Sequence, residues 1–373
     1  MFKKISNERL IDLSLVAVCS LLIISIGIGI LALPKYEFSE QENRLLSPAP
    51  APTLASLWDG ELIGELSSFY CDHIPLRKEL ILTNSICELS LGKQLIGDVA
   101  AFRNGTLVPR CEYSDLSLLK HNLYAVSSLP ESTVVCILPR SVDVLGLPSI
   151  STFSENARSA ENIVMQSGLD KTCVRDAVLS AHERGEYLFY RTDHHLTTHG
   201  AFVVYESLAQ SLGYLPLSRE DFEISTVSNS FYGTSYSRAG GIPCKADSVE
   251  LYRYNEDDAL VISCCDKGCS VSSLYDMSAL DTKDKYRVFL GGNHSLLTVK
   301  SDTDKPSLLI IKDSFANALI PFLSIHYNVT AIDPRYADFS IKEYISSHNF
   351  DAILLLCGTD TLATDRSFAR LGL

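Results

Sequence analysis

The chain is short of basic charge: 32 Lys and Arg stand against 45 Asp and Glu, a formal net charge of −13. That balance argues against nucleic acid as a partner, because phosphate recognition needs a basic face. It equally disfavours adhesion of the folded part to an anionic lipid surface. Paired C-x-x-C spacing is also missing among the eleven cysteines, so no zinc-like ligand set is offered and neither a metal nor another cofactor is called for. Cys264, Cys265 and Cys269 cluster in sequence after Cys244, and spacing leaves open whether they are thiols or disulfide-bonded.

A second long apolar run is absent too, which rules out a multi-span membrane protein in this chain. The one run present, Leu13 to Leu33, carries no charge, and at about 1.5 Å per residue it is long enough to cross a hydrocarbon core of roughly 30 Å. Lys3, Lys4 and Arg9 precede it, whereas only Lys35 and Arg44 follow closely. The basic excess places the N-terminus in the cytoplasm and everything after Pro34 outside. A cleaved signal peptide is the rival reading. The run exceeds the usual apolar region of roughly 7 to 15 residues, and Ile30-Leu31-Ala32-Leu33 is a poor small-residue cleavage site. The expectation is a single-pass anchor in the cytoplasmic membrane over residues 1–35.

Residues 36–96 read as a stalk and a helical segment. Leu46-Ser47-Pro48-Ala49-Pro50-Ala51-Pro52 is extended and proline-rich. Leu57 to about Leu91 is helical in pattern, broken at Ile74-Pro75 because proline disfavours helix in the residue before it. Asp72 and His73 flank the break, either as a polar cap or as a catalytic pair. From 97 to 373 the pattern is that of an α/β domain, with strands at Thr133 to Leu138, Tyr187 to Tyr190, Ser307 to Ile311, Val329 to Ile332 and Ala352 to Leu356. Helices are expected at Glu155 to Gln166, His199 to Leu212, Phe315 to Ile325 and Ile341 to Ser346. Two successive βαβ crossovers in the last third imply a parallel sheet covered on both faces. Residues 214–297, rich in Ser, Tyr, Asp and Gly, read as an insertion of short strands and loops.

Ligands in such sheets bind beyond the carboxyl ends of the strands. Those ends carry Asp313-Ser314, Asp333-Pro334-Arg335 and Gly358-Thr359-Asp360. Upstream, Asp193 and His195 stand two residues apart in Tyr190-Arg191-Thr192-Asp193-His194-His195. In an extended segment they project to one side with His194 on the other, so the carboxylate can orient the imidazole as a base. The competing reading makes Asp193 the start of the helix that Thr197 or Thr198 caps. Ser314, between a buried strand and a helix, is the candidate nucleophile, with its backbone N–H at a helix start for an oxyanion. Asp313 is the alternative N-cap. Ser235, in Gly233-Thr234-Ser235-Tyr236-Ser237, is a second nucleophile candidate that neither a buried strand nor a helix frames. Asn293, after a strand-like Tyr286 to Leu290, is a candidate oxyanion donor. Arg335, Thr359 and Asp360 are candidate substrate contacts.

These blocks resemble the DHHW family of bacterial membrane-anchored proteins. Asp193-His194-His195-Leu196 matches its naming motif, with Leu196 where the family has tryptophan, a loss of aromatic surface beside the base. Phe38-Ser39-Glu40-Gln41-Glu42-Asn43-Arg44, Asp72-His73-Ile74-Pro75-Leu76-Arg77, Phe289-Leu290-Gly291-Gly292-Asn293, Lys312-Asp313-Ser314-Phe315-Ala316-Asn317 and Asp333-Pro334-Arg335-Tyr336 look like its recurring blocks. The family is similar to the SGNH-like domains of alginate O-acetyltransferases. The resemblance therefore implies an SGNH hydrolase-like three-layer α/β/α domain with a parallel sheet, plus the N-terminal transmembrane helix. It also implies Asp193 as orienting acid, His195 as general base and Ser314 as nucleophile of an acyl-serine reaction. Lys312 replaces the glycine of the usual Gly-Asp-Ser block, and Gly358-Thr359-Asp360 lacks the expected asparagine. Both departures bear on the oxyanion hole. The implied function is an extracytoplasmic O-acetyltransferase or esterase on cell-surface polysaccharide, supplied with acetyl by a multi-span membrane acyltransferase partner. The alternative is a non-catalytic glycan-binding or envelope-assembly protein on a degenerate scaffold.

Overall fold

A computed structural model describes residues 7–39, 42, 44–111, 113, 115–145, 155–266, 268–269 and 271–372. Lys3, Lys4, Glu40, Gln41, Asn43 and the side chain of Arg9 lie outside the described residues, as do the topology and block assignments that rest on them. The chain divides into two compact units, Met1–Gly92 with Gly240–Ile242, and Lys93–Ala239 with Pro243–Leu373.

In the first unit, a helix runs over Asn7–Ala32, and its Ile11–Ala32 stretch has a mean hydropathy of 2.8. By length and composition it suits a membrane span, although a signal sequence would look the same. Helices at Glu61–His73 and Arg77–Ser90 follow, separated at Pro75 by Leu76, which has a φ of 58°. Asp72 accepts from Arg44 and from the Ser47 N–H, and His73 bonds the Phe69 carbonyl. Both side chains are thus engaged in tying local backbone.

The second unit is built on a six-stranded sheet. Its strands are β1 (Val134–Leu138), β2 (Val261–Cys264), β3 (Leu296–Lys300), β4 (Ser307–Lys312), β5 (Asn328–Ile332) and β6 (Ala352–Gly358), in the spatial order β1-β6-β4-β5-β3-β2. The four strands β1, β6, β4 and β5 are mutually parallel. β3 and β2 extend that sheet antiparallel from the β5 side, so part of the segment expected as an insertion belongs to the central sheet. Side chains alternate faces with period two. Leu308 and Ile310 of β4 join one apolar cluster with Leu354 and Leu356, whereas Leu309 and Ile311 join another with Ile353 and Leu355. Two buried faces make this a three-layer α/β architecture.

The crossovers decide where a ligand can enter. The segment after β4 packs Ala316, Ile320 and Phe322 into the first cluster, while the helix after β6, Thr359–Thr364, packs Leu362 and Ala363 into the second. Neighbouring strands β4 and β6 therefore send their chains to opposite faces, which opens a crevice between their carboxyl ends.

Three expected elements differ. The helix from Phe315 to Ile325 is a 3-10 turn, Ser314–Ala318, followed by a short helix, Ile320–Ser324. Pro321 lacks an amide donor and is tolerated in a first helical turn, so the helix restarts there. Tyr187 to Tyr190 forms only a single bridge, Phe189 to Leu196, because the chain turns back at once. Tyr286 to Leu290 is also not a strand. Lys285–Val288 is a 3-10 helix that buries Tyr286 and Val288. Among the described cysteines, Cys264 and Cys269 form a disulfide.

Candidate active site

Ser314 begins the turn that leaves β4. Asp313 caps that turn, accepting the Phe315 N–H at 3.0 Å through one oxygen. Its other oxygen accepts the Gly358 N–H at 2.8 Å and the Thr361 hydroxyl at 2.6 Å, which ties the end of β4 to the end of β6. The Phe315 amide is thereby spent on the cap.

The segment Arg191 to Leu196 has no regular secondary structure; the backbone N–H groups of Leu107, Tyr236 and Tyr190 donate to its Arg191, Thr192 and His195 carbonyls, and buried side chains hold its amides. Buried Asp247 accepts the Arg191 N–H at 3.1 Å, the Thr192 N–H at 2.8 Å and the Thr192 hydroxyl at 2.6 Å. Asp193 is held in turn by the corner at Gly233-Thr234, between a strand at Glu223–Phe231 and a short helix at Thr234–Arg238, where the Thr234 N–H and hydroxyl donate to Oδ2 at 2.7 and 2.9 Å. Gly233 has no room for a side chain, since a Cβ there would lie 2.3 Å from Asp193. The helix that follows, Thr198–Leu212, is capped by the Thr197 side chain, so Asp193 is free of that task.

These two regions meet. Asp193 Oδ1 lies 2.5 Å from His195 Nδ1, and His195 Nε2 lies 2.8 Å from Ser314 Oγ. A carboxylate only accepts, so the ring's Nδ1 carries a proton and Nε2 is left to accept from the hydroxyl. Asp193 is buried. Burial alone would push its carboxyl up, but His195, His194 and the Thr234 N–H hold it well below the usual carboxylate range. It stays ionised beside the imidazole.

Tyr286 stacks on His195 with ring centroids 3.9 Å apart and a 10° interplanar angle, and its hydroxyl donates to the Ser314 carbonyl at 3.1 Å. It supplies the aromatic surface that Leu196 was expected to cost. Leu196 itself is in the apolar core. Nor does His194 point away. The segment bends, strict alternation fails, and the His194 ring lies 3.9 Å from His195 with Nδ1 2.9 Å from Thr234 Oγ1. Because Thr234 donates to Asp193, it accepts from His194, giving a relay from His194 through Thr234 to Asp193. Desolvation, reinforced by His195, pushes the His194 imidazole down to about 4, against the pull of Asp193. With 41% of its side chain exposed, solvent tempers that shift, and the ring is neutral at neutral pH.

A cleft of about 250 Å³ opens on Ser314, between the carboxyl ends of β1, β6 and β4. Of the expected contacts, Arg335, Thr359 and Asp360 line it. Thr359 is buried and donates to the Leu138 carbonyl, while Arg335 is paired through two bonds with Asp333. Asp360 accepts from Tyr113 and lies 4.0 Å from buried Arg140. Burial raises its carboxyl pKa, against Tyr113 and Arg140. Arg140, Tyr113 and Tyr286 carried no sequence motif, and the packing that assembles them is long-range.

Asn293 is not among the residues lining this cleft. Its Oδ1 accepts from Lys312 at 3.3 Å and from Asn317 at 3.0 Å. Lys312 is itself buried, bonding Asn317 at 2.7 Å with Asp333 at 3.7 Å, and desolvation lowers its pKa against Asp333. Ser235 differs from expectation because a short helix, Thr234–Arg238, does frame it. Among the described residues its buried Oγ has no hydrogen-bond partner, while His195 Nε2 is engaged by Ser314. Asp193, His194 and His195 also bring metal-type ligand atoms together, but His195 uses both ring nitrogens within the protein.

A family model described as DHHW protein matches residues 130–332, more than half of the chain. The chain belongs to the DHHW family. A DHHW family protein from Eubacterium siraeum shares its fold, with a TM-score of 0.57 at 18% identity over 73% of this chain and 96% of that one. PatB1 of Bacillus cereus, solved with a sulfonyl adduct, gives 0.59 at 16% identity over 72% and 98%. The O-acetyltransferase domain of Pseudomonas putida AlgJ aligns over 74% and 98% at 15% identity, and its TM-score of 0.43 is too low to carry weight. No curated protein matches the chain.

Proposed function

We propose that this DHHW chain is an extracytoplasmic O-acyltransferase or esterase that modifies a cell-surface polysaccharide through an acyl-serine intermediate. One observation carries the reading: His195 spans Asp193 and Ser314 at hydrogen-bond distance on both ring nitrogens, at the mouth of a cleft. In the first half-reaction, Ser314 Oγ attacks the acyl carbonyl carbon as its proton passes to His195 Nε2. Asp193 steadies the imidazolium, which then protonates the departing oxygen. In the second, an acceptor hydroxyl gives its proton to His195 and attacks the acyl-serine, and Ser314 recovers its proton as the new ester leaves. Water as acceptor makes the same site an esterase.

Acetyl as the acyl group comes from the resemblance to alginate O-acetyltransferases. The polysaccharide acceptor fits an open cleft lined by Thr359, Asp360 and Arg335. On this reading residues 1–35 anchor the chain in the cytoplasmic membrane, 36–96 lift the catalytic domain of 97–373 from it, and a multi-span acyltransferase partner delivers acetyl across the bilayer. The non-catalytic alternative rests on Lys312 and on the asparagine missing from Gly358-Thr359-Asp360, and the structure bears on the first. The Lys312 ammonium is occupied by Asn317, Asn293 and Asp333, so it braces the strand end without filling the cleft. The test is turnover of an acetyl ester, and of acetylated glycan, by the full-length chain in detergent. Turnover that needs Ser314 supports the reading. Glycan binding with no turnover or acyl-enzyme, by folded protein, favours the alternative.

A further inference from the structure

Among the described residues, ligand-type side chains converge at one place besides the cleft. Cys264 ends β2, Cys269 follows in the next loop, and His294 precedes β3. Antiparallel pairing of the two strands, with Leu297 opposite Cys264, brings them together. The two sulfurs and a His294 ring nitrogen lie within 4.8 Å of one another. The orientation of His294 is informative. Its Nε2 lies 2.7 Å from the Leu290 carbonyl and must donate to it, which leaves Nδ1 facing Cys269 Sγ at 3.8 Å and Asp266 Oδ2 at 3.2 Å. A ring nitrogen, a sulfur and a carboxylate oxygen gathered in this way are joined either by a proton on Nδ1 that donates to Asp266 or by a metal cation in that proton's place. Donation of the second ring nitrogen to a backbone carbonyl is the arrangement that orients metal-binding histidines.

We propose that, with its cysteines reduced, this corner is a structural zinc site. Two thiolates and His294 Nδ1 are the ligands, and Asp266 or water takes the fourth position. Thiolate and imidazole donors suit zinc over magnesium or calcium; the single Cys-x4-Cys pair lies at the wide end of such spacings, and strand pairing, not a second paired motif in the sequence, brings His294 to it. A phosphine converts the disulfide to the binding form: the S–S bond takes two electrons, water supplies both thiol protons, and its oxygen ends on phosphorus. Zn2+ then displaces the thiol protons to solvent. Bound there, the metal would fasten the turn at Gly291 to His294, whose Asn293 meets Lys312 and Asn317 behind Ser314.

The test uses the full-length chain in detergent, reduced with a phosphine and titrated with Co2+ as a spectroscopic stand-in. The expected result is a single Co2+ per chain with tetrahedral d–d bands and a sulfur-to-metal charge-transfer band, displaced by Zn2+. Cys269→Ser and His294→Ala should each weaken binding at least tenfold, while Cys265→Ser should leave it unchanged. Absence of the charge-transfer band in reduced wild type overturns the proposal. So does binding that survives unchanged in Cys269→Ser and His294→Ala. The wild-type spectrum needs no variant, so a variant that failed to fold would leave the test standing.

Discussion

Ser314 and the pair Asp193 and His195 reach the same point by different physical routes. Ser314 is carried to the crevice by β4, a buried strand hydrogen-bonded to parallel neighbours on both sides, so its position follows from the sheet. The Asp193 to His195 segment has no ladder beneath it. Besides backbone bonds to the Thr192 and His195 carbonyls, it is fixed by two buried carboxylates, Asp247 beneath Thr192 and Asp193 itself against Thr234. The first kind of placement survives loss of single contacts, whereas the second concentrates positional control in a few polar bonds. Substitutions around the loop should therefore disturb the site more than equally conservative ones around the strand.

The largest effects should come from the reacting groups. Ser314→Ala and His195→Ala are each expected to lower ester turnover by on the order of 10⁴-fold or more, and the double variant little further, because such groups act as a unit. Additive losses, measured by steady-state kinetics on folded protein, would break the link between the two regions. Asp193→Asn should cost about 10⁴-fold through the wrong tautomer at His195. Gly233→Ala, which forces Asp193 aside, should cost roughly 10²-fold, with its loss in kcat and a fold preserved by circular dichroism.

Smaller effects sharpen the contrast. Thr234→Val removes one of the four hydrogen bonds on Asp193 but keeps the backbone donor, so a fall of roughly tenfold is expected from the strength of bonds to a charge. Ser235→Ala, one residue on, should leave activity within about twofold, and the thermal midpoint should hold or rise because a buried hydroxyl without a partner is removed. Loss of activity in Ser235→Ala with Ser314→Ala still active would reverse the choice of nucleophile.

The pH dependence comes last in size. His194 has its folded pKa depressed to about 4 from an ordinary value near 6.5, so the unfolded chain binds more protons between those values. Stability from this group is fully present above about pH 6.5 and declines as pH falls toward 4. His194→Gln should flatten that part of the decline in thermal midpoint. An unchanged slope would show that the ring is not held neutral against His195.

Legibility in the sequence followed the same divide. β4, β5 and β6 announce themselves as apolar runs with helical patterns between them, and the polar residues at their ends are the ones lining the cleft. Asp193 and His195 were visible as residue types at a suggestive spacing. Their geometry was not, because extended alternation put His194 on the wrong side and did not bring Tyr286, Thr234 or Asp247 to the pair. Those three lie far away along the chain, and nothing in their local pattern says that they meet His195 or the residues beside it. The antiparallel strands β2 and β3 were hidden for a related reason. β2 at the sheet's edge and β3 beside it are short, with side chains that alternate between more and less buried, so they lack the continuous apolar run that marks buried parallel strands.

The most direct measurement is covalent labelling of the full-length chain with a fluorophosphonate probe, located by peptide mass spectrometry. Labelling concentrated at Ser314, and lost in His195→Ala, is the expected result, since the probe reacts with a serine whose proton a neighbouring base can take. Labelling at Ser235, or no labelling of a folded protein that still turns over acetyl ester, would contradict the site described.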